Sequence, residues 1–281
     1  MWRLGMALFV GVALVVVASC GSSDGDTSPT LSDSGGDAGA VDGPEDRAEA
    51  SALPPPAITC PEPARLVPFP TDDAYASFVR ALSPSKYSHG RCELVALVVD
   101  AALALHETMP SILPFGVGDL SQADGAIPGT DVGTPRHPAP SHTKGFSVDV
   151  TYVRLGGKTL DDSPACPSKT REFCQGPHDV DLVPTARVMA HVARTKRVVQ
   201  IIVDPMMEKD IGGALDELAR SNVEGASLAR AVLTSGVPFH ADHFHVSVSR
   251  ACFDGRDNDG DGKIDLDDPD CVDAVDDDEG A

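Results

Sequence analysis

Residues 240–248 read HADHFHVSV, placing His240, His243 and His245 within six positions of a chain with nine histidines in 281 residues. Read as a strand, the stretch sends His243, His245 and Ser247 to one face and Phe244, Val246 and Val248 to the other. Two imidazoles backed by an apolar face can converge on one small centre. A hydrolytic zinc ion needs three protein ligands and an open fourth position, so another segment must contribute. PAPSHTKGFSVDV (138–150) carries His142 and Asp149, with Gly145 between them. Glycine permits a tight turn or a close backbone approach. One imidazole and one carboxylate from this segment, with one imidazole from the HFH strand, make a His₂Asp set with water in the fourth position. Borderline-soft zinc accepts such a mixed nitrogen and oxygen set.

The elements that must position these residues follow from local pattern. ELVALVVDAALALH (93–106) reads as a helix stopped near Pro110, and ILPFGVGDLS as a strand and turn. FSVDVTYV (146–153) alternates as a strand, with Asp149 on the face of Ser147 and Thr151. TARVMAHVAR (185–194) reads as a helix and VVQIIVDP (198–205) as a short apolar strand. Ala214–Leu218 and Ala226–Leu233 read as helical pieces before the strand at 243–248. Helices and hairpin-like strands mix without regular βαβ spacing. The expected class is therefore α+β: a small antiparallel sheet with flanking helices, carrying a single zinc site. HETMP, starting at His106, is not an HExxH zinc helix, because Pro110 stands where the second histidine belongs. His191, inside a helix, reads as structural.

SHTKGFSVD and HADHFH together resemble the penicillin-insensitive murein endopeptidases, zinc peptidases related to the D-Ala-D-Ala carboxypeptidases. The resemblance covers about 60–253, and GVGDLS (116–121) and VVQIIVDP also resemble segments of that family. It implies that His142, Asp149 and His245 bind zinc, that His243 is the catalytic base or transition-state partner, and that His240 lines the site. The implied substrate is the peptide cross-link of peptidoglycan, typically the D-alanyl–meso-diaminopimelyl bond. Zinc would acidify a water and polarise the scissile carbonyl, while a neutral histidine moves the proton to the leaving amine. Spacing leaves open whether His240 or His243 is the base. QADGAIPGTDVGTPRHPAP (122–140) departs from the family's Gly-rich basic stretch and is expected to reshape the cleft. The alternatives are a zinc D,D- or L,D-carboxypeptidase trimming stem peptides, or an inactive peptidoglycan-binding lipoprotein.

The ends point to export. Residues 1–19 read as a signal segment, with an early Arg3 and an apolar run from Met6 to Val17, too short for a membrane span. VASC resembles a lipobox, making Cys20 the lipidated first residue, so that lipid alone tethers the protein to a membrane. Gly21, rather than Asp, follows the cysteine, and the expected location is the periplasmic side of the outer membrane. Residues 20–56 read as a disordered acidic linker, with eight acids against Arg47. The segment from 254 to 281 has 13 acids and two bases. Of the formal charge of −21, about −4 therefore remains for the domain at 57–253. The acidity of the ends says nothing about the working surface, and no basic stripe supports nucleic-acid binding. Besides Cys20, six cysteines suit three disulfides in an exported protein. Cys60–Cys252 and Cys166–Cys174 are the expected pairs, with Cys252–Cys271 as the competitor of the first.

DNDGDGKIDLDD (257–268) places Asp257, Asp259, Asp261, Asp265 and Asp268 at positions 1, 3, 5, 9 and 12 of an EF-hand-like loop. Convergent carboxylates repel unless a hard cation sits among them, so calcium is the expected ligand of this tail. Aspartate at position 12 is shorter than the usual bidentate glutamate.

Overall fold

Two strands with matched polar and apolar faces form the middle of the sheet in this computed structural model. It describes residues 55–61, 65–112, 114–157, 163–250, 252, 257, 260–264 and 267–271. The expected signal segment, Cys20 and the linker up to residue 54 lie outside the described residues, as do Asp259 and Asp265.

In chain order the elements are β1 (Leu66–Pro68), β2 (Val79–Ala81), β3 (His89–Arg91), α1 (Cys92–Thr108), β4 (Phe115–Val117), β5 (Ser147–Thr151), α2 (Leu182–Ala193), β6 (Val198–Ile202), α3 (Pro205–Arg220), α4 (Ala226–Val232), β7 (Leu233–Thr234) and β8 (His243–Val248). β1 and β3 form a separate antiparallel pair. The other strands form one sheet in the order β2-β4-β5-β8-β6-β7. Its middle, β4-β5-β8-β6, is antiparallel, but β2 runs parallel to β4 and β7 parallel to β6.

The α+β class holds, while the expected small antiparallel sheet becomes a six-stranded mixed one. The reason lies at the edges. Strands as short as VRA and LT are too brief to show alternation. Each is joined to its parallel neighbour by the helical crossover that parallel pairing requires, through α1 on one side and α3 and α4 on the other.

On the inner strands the alternation is followed closely. Val148 and Val150 of β5 pair with Val246 and Phe244 of β8, and all four are buried. They join one core with Leu94, Val98, Met189 and Ile201 from α1, α2 and β6. The opposite face carries Ser147, Asp149 and Thr151 beside Ser247, His245 and His243.

The apolar strand expected over 198–205 ends at Ile202, because VDP is a helix start. Asp204 caps α3 by accepting the Met206 N–H at 2.8 Å, and Pro205 takes the first helical position. Helix α3 is much longer than the piece expected at 214–218. Met207, Ile211, Leu215 and Leu218 recur on its buried face, interrupted in sequence by Gly212 and Gly213.

Three disulfides are present, Cys60–Cys92, Cys166–Cys174 and Cys252–Cys271. The expected Cys60–Cys252 pair is thus replaced. Cys92 opens α1, and its N–H donates to the Arg65 carbonyl at 2.8 Å, which draws the segment after Cys60 to the start of the helix. Cys252 instead closes the acidic tail.

Candidate metal centre

The β5–β8 register sets Asp149 directly opposite His245 and Thr151 opposite His243. Asp149 Oδ1 lies 3.0 Å from His245 Nδ1 and 3.6 Å from His243 Nε2. His245 is buried, and its other nitrogen shares a 2.9 Å hydrogen bond with Ser247 Oγ, which holds the ring with Nδ1 toward the carboxylate.

His142 arrives from the preceding loop. Its backbone is left-handed (φ 56°) and its side chain is fully buried. Such a conformation in a non-glycine residue persists only where the surroundings hold it. Gly145, three residues on, also has positive φ (72°). A Cβ there would lie 2.6 Å from Arg91 N, so the close backbone approach expected of this glycine is real. His142 Nδ1–H donates to the Leu120 carbonyl at 2.8 Å. Its Nε2, the atom that offers a lone pair to a cation when the ring is neutral, faces Asp149 Oδ1 (3.2 Å) and His245 Nδ1 (3.1 Å).

These three mutual separations, 3.0, 3.1 and 3.2 Å, test the fit to a metal. Donors about 2.0 Å from a tetrahedral ion are about 3.3 Å apart. Two nitrogens and a carboxylate oxygen crowded at that spacing, with the outer nitrogens already engaged, suit a small cation.

A third histidine belongs to the cluster and is not legible in the motifs. His137 stacks on His142 with ring centroids 3.8 Å apart, and its Nε2 is 3.8 Å from Asp149 Oδ2. Among the described residues, His137, His142 and Asp149 form the group whose ligand atoms all lie within 4.8 Å of one another, and this group could hold a metal ion. Asp119 orients His137, accepting from its Nε2 at 2.8 Å. That buried carboxylate also accepts from Arg136 Nη1 (3.1 Å) and the Ser83 hydroxyl. The only sequence hint was a further histidine five residues before His142, in a loop whose path the prolines obscure.

His243 Nδ1–H donates to Asp242 Oδ1 at 2.8 Å, while Asp242 Oδ2 accepts from Arg171 Nη2 at 2.7 Å. Burial works to lower the His243 pKa, but the Asp149 charge and the bond to Asp242 outweigh it and push it up to about 9. Burial would raise Asp149, yet His142 and His243 hold it well below the usual carboxylate range. His240 packs beside His243, with ring centroids 5.0 Å apart. Its Nδ1 faces the Val237 and Pro238 carbonyls, and burial, aided by the His243 charge, lowers its pKa to about 4. His191 is remote from this centre and bonds Asp100 at 2.9 Å.

Asp149 and His137 open onto a cleft of about 620 Å³ lined also by Asp119, Arg136, Arg171 and His243 among others, with His142 and His245 buried behind them. The tail aspartates are elsewhere. Asp257 accepts the Gly260 and Gly262 N–H groups, Asp261 pairs with Lys263, and Asp268 is buried. No protein-family model matches the chain, and no curated protein matches it in sequence.

Proposed function

We propose that this chain is a zinc-dependent endopeptidase that hydrolyses peptide cross-links in peptidoglycan, of the D-alanyl–meso-diaminopimelyl type. The observation that carries the reading is the convergence of His142 Nε2, His245 Nδ1 and Asp149 Oδ1 at 3.0–3.2 Å beneath an open cleft, with His243 beside them. His142, Asp149 and His245 would hold the ion, with His137 adjoining. A zinc ion there supplies Lewis-acid polarisation of the scissile carbonyl and acidifies the attacking water.

The chain's own groups do the proton work. Asp242 fixes Nδ1–H of His243, which leaves Nε2 as the atom that faces Asp149 and the cleft. There it takes the proton of the attacking water and returns it to the leaving amine as the amide bond breaks. The upward push on its pKa comes chiefly from Asp149; committing that carboxylate to a cation brings His243 down toward the range where it exchanges protons at neutral pH. His240, held neutral, keeps a second positive charge away from His243. Export and a lipid tether at Cys20 would bring such a cleft to the cell wall.

The test is digestion of purified cross-linked muropeptide dimers by the zinc-loaded and the metal-stripped protein, followed by mass spectrometry. Conversion of dimer to two monomers only with zinc is expected. In His243→Ala the zinc stays bound and turnover falls about 10²–10⁴-fold. No conversion with zinc demonstrably bound would sink the endopeptidase reading in favour of stem-peptide trimming or binding alone.

A further inference from the structure

The wall of the cleft nearest His243 is built from a segment that the metal chemistry does not use. Residues 166–174 form a small loop closed by the Cys166–Cys174 disulfide. Its ends are fastened to the scaffold: Cys174 N–H donates to Asp204 Oδ2 at 2.8 Å, and Ala165 N–H to the Ala241 carbonyl at 2.7 Å. Its tip is held in an unfavourable shape. Arg171 has φ 63°, and Phe239, whose N–H donates to the Glu172 carbonyl at 2.7 Å, has φ 69°. Two bulky residues with left-handed backbone, Phe239 bonded to the residue next to Arg171, indicate that the position of this wall is specified.

The loop presents the Arg171 guanidinium to the cleft with its side chain 52% exposed. The guanidinium is aimed by Asp242, whose other oxygen holds His243. Arg171 is therefore one carboxylate away from the proposed proton carrier. Arg136 lines the same cleft, held to buried Asp119 and lying over the Tyr87 ring, but its carboxylate partner holds His137 rather than His243. The lining contains three acids, Asp119, Asp149 and Asp242, and two arginines, so with its histidines neutral its formal charge is −1. A bound dication reverses that sign. A chain with a net charge of −21 then carries a cationic cleft.

We propose that Arg171 is a carboxylate anchor that binds the free carboxylate of the substrate residue on the leaving-group side of the scissile bond. This rests on the peptidase reading and deepens it. In a D-alanyl–diaminopimelyl bond the carbon that bears the leaving nitrogen also bears a carboxylate. Binding that group beside His243 sets the leaving nitrogen near Nε2, the atom that must protonate it. A planar guanidinium matches a carboxylate in two parallel hydrogen bonds, which an ammonium cannot reproduce. The ligand class is a peptide with a free carboxylate on the residue that leaves, and amidation of that carboxylate removes recognition.

The test is calorimetric titration of the full zinc-loaded chain with N-acetyl-D-alanyl-D-alanine and with its C-terminal amide. The native chain binds the acid at least about tenfold more tightly than the amide, the scale of a charge-assisted pair. Arg171→Gln loses that preference and Arg171→Lys recovers part of it, while affinity for the amide, zinc stoichiometry and melting temperature stay as in the native chain. Equal affinity for acid and amide, no binding of the acid at millimolar peptide, or a preference that survives in Arg171→Gln overturns the assignment. Acid-selective binding that depends on Arg171, in a protein that leaves cross-linked dimers intact, removes the endopeptidase reading and keeps the anchor.

Discussion

Asp149 and His245 are Cα partners across the β5–β8 ladder, and their side chains meet at 3.0 Å on its polar face. The register of one strand pair therefore determines the candidate centre. A slip of one residue would carry Asp149 to the apolar face and set Val148 or Val150 on the polar face in its place. Phe244 and Val246, both buried, hold the register from the other side of the sheet.

Loss of His142 or Asp149 should abolish metal binding. Each supplies a donor at the 3.0–3.2 Å spacing of the set, and its removal leaves that set incomplete. Metal content after dialysis against zinc should fall from about one ion per chain to near zero in His142→Ala and Asp149→Ala. Full stoichiometry in either variant would remove it from the ligand set.

Asp119 touches His137, Arg136 and Ser83 and should act on the metal through His137. A carboxylate that fixes the orientation of a metal-site imidazole tunes affinity, so Asp119→Asn should weaken zinc binding about 10–100-fold without abolishing it. His137→Ala should weaken it at least as much. Competition with a chromophoric chelator measures both, and native affinity in His137→Ala would place that histidine outside the centre.

Stability should fall in mild acid partly through His191. Burial lowers its pKa from 6.5, ahead of the opposing hydrogen bond to Asp100. Between the lowered folded value and 6.5 the unfolded chain binds more protons, so stability rises with pH across that window. The contribution is complete above about pH 6.5 and is lost as pH falls through the folded value. His191→Gln should flatten the pH dependence of the urea midpoint there; an unchanged slope would refute this.

The tail offers a separate measurement. Asp268 is 2% exposed, and its Oδ2 has no hydrogen-bond partner among the described residues. If this carboxylate completes the calcium loop expected from the sequence, calcium at roughly millimolar concentration should slow proteolysis between Cys252 and Cys271. Asp268→Asn should remove the protection. Equal cleavage with calcium and with chelator would leave the tail as a solvated acidic segment.

By itself the sequence determined the parts whose physics is local. Alternation in FSVDV and HFHVSV identified two strands and the face each histidine and Asp149 would occupy, because the side-chain period of a strand is fixed at two residues. The continuous apolar run of 93–106 identified α1, and the short spacing of Cys166 and Cys174 identified one disulfide. Tertiary structure decided what depends on distant segments. It paired β5 with β8 in one register, drew Cys60 to Cys92, and added parallel edge strands too short to carry a pattern. It also brought His137 onto His142 and Arg171 to Asp242, contacts made by loops whose paths are set by turns, a disulfide and buried carboxylates. Residue type and spacing name the chemistry a chain can do. Which lone pairs and charges share one small volume is fixed only when packing brings those segments together.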